Sequence, residues 1–262
     1  MKAFRLLGLS VGFLLLAAVL LPRVSANHSW GGYHWARTAN PFTLKLGDNV
    51  SSAWKPYLSE SSADWSVSSV LDTTIVAGNG GKTCKATAGR IEVCNRKYGN
   101  NGWLGLAQVW VNGTHITQAL AKMNDTYFTT NTYNKPEWRR LVMCQEIAHG
   151  FGLDHQDEAF DNTNLGTCMD YTSNPLGPPS NEHPNAHDYE ELEIIYAHLD
   201  GITTVGQSVT RNAGKMPEWA ATGEFGNASD WGKEIRNNGH VALYERDFGG
   251  GNKLFSFVIF AR

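Results

Sequence analysis

Cys144-Gln-Glu-Ile-Ala-His-Gly-Phe-Gly-Leu-Asp-His-Gln-Asp157 is the passage on which the reading of this chain turns. It ends a segment that opens at Pro136, whose missing N–H costs nothing in the first turn of a helix, and that runs through Glu137 to His149. Trp138, Val142, Gln145 and His149 share one face of that helix, with Leu141 beside them. Gln145 and His149 are four residues apart, so both side chains point to one place and can converge on one metal ion. Gly150 and Gly152 stop the helix, and Gly152 permits a sharp reversal that brings His155 back against the helix end as a further ligand. Glu146, beside the first ligand position, is placed to act on a water molecule without itself holding the metal. Taken singly these residues are ordinary: a lone histidine is usually a hydrogen-bonded core or surface group, and a lone glutamate a solvated helix residue. Two histidines at this spacing with Glu and Gly reverse that reading in favour of a metal site.

Working outward, strands and helices alternate ahead of this segment. Phe42, Leu44 and Leu46 alternate with Thr43 and Lys45 as in a half-buried strand, and helical character follows over Ala53 to Val70. Thr73 to Ala77, Ile91 to Cys94 and Leu104 to Val111 read as strands, with a turn at Asn100, Asn101 and Gly102. The pattern predicts an α+β domain, a mixed sheet with helices against it. Past the histidines, Leu153 to Asn185 is irregular and too long for an idle connection, and a second helix over Ala186 to Leu199 carries Leu192, Ile195 and Leu199 along one stripe. Beyond Gly201, Val241 to Tyr244 and Leu254 to Phe260 look like two strands joined through a glycine-rich turn. They form a small β appendage or else complete the main domain, since about 60 residues make a marginal core of their own.

The segment from Cys144 to Asp157 resembles the metzincin signature His-Glu-x-x-His-x-x-Gly-x-x-His, with Gln145 standing where the first histidine belongs. Further along, Cys168-Met169-Asp170-Tyr171 resembles the Met-turn of that family. The resemblance covers Arg139 to Tyr171. It implies a zincin fold with an active-site helix, a Met-turn and a C-terminal helix, and a zinc ion held by His149, His155 and, in place of histidine, Gln145. It further implies Glu146 as general base, Met169 as a hydrophobic floor, and Tyr171 matching a tyrosine that astacin-like members use near the metal. A glutamine carbonyl oxygen reaches about as far as a distal imidazole nitrogen but is the weaker donor, so zinc affinity is expected to be reduced. His183 and His187 are alternative donors for the missing position. The acidic run Asp157, Glu158 and Asp161, with Asn162, is a solvated loop or a calcium site.

The start of the chain reads as a signal peptide: Lys2 and Arg5 precede an apolar run from Leu6 to Leu21, then Pro22 and the small-residue stretch Val24, Ser25, Ala26. A membrane anchor fits less well, because about 16 apolar residues fall short of the ~20 needed to span a bilayer. The division expected is a leader over 1–26, a metzincin-like domain over 27–203 and a small β region over 204–262. Four cysteines in an exported chain predict two disulfides. Of three pairings, Cys84 with Cys94 and Cys144 with Cys168 is favoured because each closes a short loop. The resemblance adds that the second bridge would tie the Met-turn to the metal helix. Sequons occur at Asn27, Asn49, Asn112, Asn124 and Asn227. A formal charge of −3 without a basic stripe argues against nucleic acid and anionic membrane as partners. The reading is a secreted, monomeric, zinc-dependent endopeptidase acting on peptide or protein substrates. A metzincin-fold binding protein that no longer cuts is the rival.

Overall fold

The structure, a computed structural model, describes residues 28–207 and 217–262; the expected leader over 1–26 lies outside them. It is a mixed α+β fold built on one nine-stranded sheet with few helices. In chain order the elements are β1 (His34–Trp35), β2 (Phe42–Asn49), α1 (Lys55–Trp65), β3 (Leu71–Ala77), β4 (Ile91–Arg96), β5 (Trp103–Asn112), β6 (His115–Asn124), α2 (Asp125–Phe128), α3 (Pro136–His149), α4 (Ala186–Ile195), α5 (Glu218–Thr222), β7 (Lys233–Asn237), β8 (Val241–Gly249) and β9 (Asn252–Phe260). The strands lie in the order β3-β2-β4-β6-β5-β9-β8-β7, with β1 pairing the start of β6. Pairing is parallel from β3 to β6 and antiparallel from β6 onward.

In β2 the alternation read from the sequence is realised, with Phe42, Leu44 and Leu46 buried and Thr43 and Lys45 exposed. β6 has no counterpart in the sequence reading. Its text, His-Ile-Thr-Gln-Ala-Leu-Ala-Lys-Met-Asn, is rich in helix formers, but it is buried on both faces and hydrogen-bonded on both edges, so strand context overrides propensity. α1 ends at Trp65 rather than Val70. There the Ser66 hydroxyl donates to the Ser62 carbonyl at 2.7 Å and accepts from the Thr73 amide at 3.0 Å, so a serine-rich end is drawn off into the next strand. α4 starts on a capping box made by Asn185 and Asp188 and ends before the expected Leu199. The Tyr196 carbonyl there accepts from Arg37 Nη2 at 2.8 Å and from Asn40 Nδ2 at 2.7 Å, which satisfies the helix end and releases the chain.

The residues after 203 are continuous with the main sheet rather than set apart from it. β9 pairs along β5 from Asn112↔Asn252 to Trp103↔Phe260, so β7, β8 and β9 cover what would otherwise be an open strand edge. The segment around α5 lies over the sheet face opposite α3: Trp110 Nε1 donates to the Ala220 carbonyl (2.7 Å), Gln108 Nε2 to Phe225 (2.8 Å) and Gln118 Nε2 to Ala221 (2.7 Å). Disulfides join Cys84 to Cys94 and Cys144 to Cys168, the favoured pairing. No helix among the described residues is long and apolar enough to cross a membrane. Of the sequons, Asn124 is fully buried, its side-chain nitrogen donating to the carbonyls of Gly99 and Trp103, which leaves no room for a glycan.

Candidate metal centre

α3 forms where the sequence places it, with Pro136 in its first turn, and from Leu141 to His149 every residue is buried. Gln145, Glu146 and His149 are 0% exposed and His155 is 8% exposed, so these four polar side chains must be satisfied from within. The reversal after the helix depends on Gly152. Its φ is +101°, and a Cβ there would stand 2.4 Å from the Tyr33 carbonyl oxygen, so both backbone angle and close approach require glycine. Gly105 on β5 acts similarly: a Cβ would lie 2.2 Å from Glu146 Oε1, so its absence lets the carboxylate rest against the strand.

The reversal brings the two imidazoles together, with centroids 4.7 Å apart and planes at 85°. His149 Nδ1 donates to the Leu153 carbonyl at 2.9 Å and His155 Nδ1 donates to Glu158 Oε1 at 2.9 Å. Both partners are acceptors, so each ring keeps its proton on Nδ1 and presents Nε2. Both Nε2 atoms are buried without a hydrogen bond, as are both ends of the Gln145 amide and both Glu146 carboxylate oxygens. An unpartnered buried polar group costs about 1–3 kcal/mol, and a cluster of six such atoms asks for an occupant. Two oriented imidazoles with a carbonyl oxygen one helical turn away are a donor set that fits a zinc ion, and the Nδ1 acceptors are the kind of outer support metal-bound histidines use. The residues present therefore fit the group that the sequence pattern implies.

Electrostatics follow from the burial. Burial pushes the Glu146 carboxyl well above the usual carboxylate range. Burial, with the neighbouring His155, holds His149 well below the ordinary imidazole value. Burial alone would raise Glu158, but His155 and Arg236 outweigh it and hold this carboxyl low. Arg236, on β7, donates to Glu158 Oε1 and to Asp154 Oδ2, both at 2.8 Å, so it fixes the residues flanking His155 from the far end of the sheet.

The loop after His155 returns against the site. The Gln156 amide donates to the Met169 carbonyl at 2.7 Å, Asp157 bridges Asp170, and the Cys144–Cys168 disulfide ties this turn to α3. Met169 is fully buried. Tyr171 is also buried, its hydroxyl donating to the Phe260 carbonyl at 3.4 Å, and burial raises its pKa. His183 is directed elsewhere, to Asp64 Oδ2 at 2.8 Å, and His187 stacks on His28 at 5.0 Å. The acidic run is internally engaged: Asp157 accepts from the Ala159 amide and from Asn162, and Glu158 serves His155.

No family model matches this chain. No curated protein matches it either. Among solved structures it is similar to one described as the structure of Myroilysin, at 11% identity, covering 62% of this chain and 82% of that one, with a TM-score of 0.35, a likeness too slight to carry an argument.

One contact was beyond sequence reasoning. Phe257, on β9, stacks on the His149 ring at 4.0 Å and 10°, so the C-terminal strands lie directly over the histidine pair. Nothing in the local text links residues more than a hundred positions apart. Glu158, three residues after His155, was legible as a partner in principle, because carboxylates commonly orient histidine ligands.

Proposed function

We propose that this chain is an exported zinc-dependent endopeptidase of the metzincin kind, and that the form described here is a closed one. The observation that carries the reading is the set of unpartnered buried donors, Gln145 Oε1, His149 Nε2 and His155 Nε2, with the Glu146 carboxylate in the adjacent position of the same helix. A zinc ion held by those three residues supplies Lewis acidity toward a scissile carbonyl and acidifies a water molecule. Glu146 takes the proton of the attacking water and passes it to the leaving amine. In this reading Tyr171, matched by the resemblance, donates to the developing oxyanion, which requires its hydroxyl to leave the Phe260 carbonyl. Met169 closes the floor, and the Cys144–Cys168 bridge holds floor and helix in register. Export is supported by the leader-like residues 1–26 and by two disulfides, which persist in oxidising compartments.

With His149 capped by Phe257, a polypeptide reaches the site only when the Phe257 ring moves from over it. The same contact favours a second reading, a fold that retains the metal but does not cut. Denatured casein, incubated with the zinc-loaded chain and with its Glu146→Ala variant, separates the two. The peptidase reading expects a loss of at least about 10²-fold in the variant. Equal and negligible rates for both proteins reject it.

A further inference from the structure

We infer that the chain holds a second metal ion, a structural zinc or similar first-row divalent ion, at His34, His115, His198 and Asp200. The backbone brings these four together from three places. His34 and His115 are register partners where β1 pairs the start of β6. His198 and Asp200 lie just past α4, and that segment is drawn back onto the sheet by the Asp200 amide donating to the Arg37 carbonyl (2.9 Å) and the Thr204 amide donating to Ala36 (2.9 Å).

Four of the six distances between candidate donor atoms lie near the edges of a coordination tetrahedron, and His198 meets the group through His34 and Asp200. Zinc bonds of about 2.0–2.1 Å to nitrogen and oxygen imply ligand-to-ligand edges of about 3.3–3.4 Å. Here His34 Nε2 and His198 Nε2 are 3.1 Å apart, His115 Nε2 and Asp200 Oδ1 3.3 Å, His34 Nε2 and Asp200 Oδ1 3.4 Å, and His198 Nε2 and Asp200 Oδ1 3.7 Å. One donor atom from each of His34, His115 and Asp200 lies within 4.8 Å of the other two.

The supporting contacts match. His34 Nδ1 donates to the Gly32 carbonyl at 2.8 Å, which leaves Nε2 as the lone-pair atom facing the cluster. Asp200 Oδ2 is taken by Arg37 Nη1 at 2.8 Å and by the Arg37 amide at 3.1 Å, so Oδ1 alone turns inward. Arg37, itself buried, is held in turn by the Tyr196 carbonyl. Such outer partners orient metal ligands and raise their basicity. The His34 side chain is 6% exposed and that of Asp200 10%, whereas that of His198 is 54% exposed, which gives an ion a way in. Three imidazoles and a carboxylate complete four-coordination with protein groups alone, the arrangement of a structural rather than a catalytic zinc. The ion would pin the segment after α4 to β1 and to the β5–β6 hairpin, on the same helix–strand scaffold that carries His149.

The test uses the chain with His149→Ala and His155→Ala together, so that the other candidate centre contributes nothing and its failure leaves this result unaffected. After zinc loading and dialysis this variant is expected to retain about one equivalent of zinc, with an absorption-edge spectrum of N/O ligands including imidazole, and chelation lowers its melting temperature. Adding His115→Ala and His198→Gln is expected to remove that equivalent and the chelator effect. His198 is largely exposed, so the single His198→Gln variant should fold and show weakened zinc retention by about 10-fold or more. Retention of zinc unchanged by these substitutions overturns the inference. So does a correctly folded His149/His155 variant, judged by circular dichroism, that binds no zinc and whose melting temperature is indifferent to it; the cluster would then be a proton-sharing group only.

Discussion

Gln145 is the residue at which this chain departs from the three-histidine pattern its sequence resembles, and its burial makes the consequence of the proposed metal site measurable. A carbonyl oxygen is a weaker donor than imidazole, so Gln145→His should tighten zinc binding by about 10-fold or more in a competition titration, and Gln145→Leu should weaken it. Unchanged affinity in both would place position 145 outside the coordination sphere. Glu158→Gln tests the support of His155 and should cost about 10–100-fold in zinc affinity. The His149 shift carries a pH sign. Its folded value lies well below 6.5, so without metal the unfolded chain takes up a proton that the folded chain refuses. This contribution to stability is full above pH 6.5 and is lost as pH falls below it, by up to about 1.4 kcal/mol per pH unit. His149→Gln in the metal-free protein should flatten that acid limb of a urea-midpoint profile against pH.

Among elements, α3 and the turn after it were legible in the sequence because every determinant is local: Pro136 at the start, the four-residue spacing of Gln145 and His149, and the glycine that reverses the chain. Gly152→Ala should destabilise the fold by about 2 kcal/mol or more in denaturant unfolding and release His155, since φ and the Tyr33 carbonyl both oppose a side chain. β6 was not legible, because Ala119, Ala121 and Lys122 favour helix by propensity until β4 and β5 enclose them; the Asn112-Gly113 turn ahead of it was the available hairpin signal. The placement of β9 over His149 was not legible at all, because it depends on strand pairing across more than a hundred residues. At this scale the closed form makes a prediction. Phe257→Ala removes the ring over His149 and should raise casein hydrolysis several-fold relative to the parent chain, whereas an unchanged rate would show that β9 is not the barrier.

Across the whole molecule, one sheet carries both the strands that precede α3 and the C-terminal strands, and its two faces are covered differently, by α1 and α3 on one side and by the segment around α5 on the other. The second face contains Lys122, buried to 3% exposure, whose ammonium donates to Gln108 Oε1 at 3.4 Å. Burial lowers its pKa from 10.5 to about 8, a shift that Glu224 partly opposes. The folded chain therefore sheds this proton first, so the cost of burying the charge is fully present below about pH 8 and fades toward pH 10.5. Lys122→Met should stabilise the protein at pH 7 by on the order of 2–3 kcal/mol, with the gain shrinking as pH rises. The remaining and central claim is that α3 and its return loop hold a catalytic metal. An anomalous difference map collected at the zinc edge from zinc-soaked crystals tests it directly: the account predicts a peak within bonding distance of His149 Nε2, His155 Nε2 and Gln145 Oε1, and a map with no peak between those two histidines would contradict it.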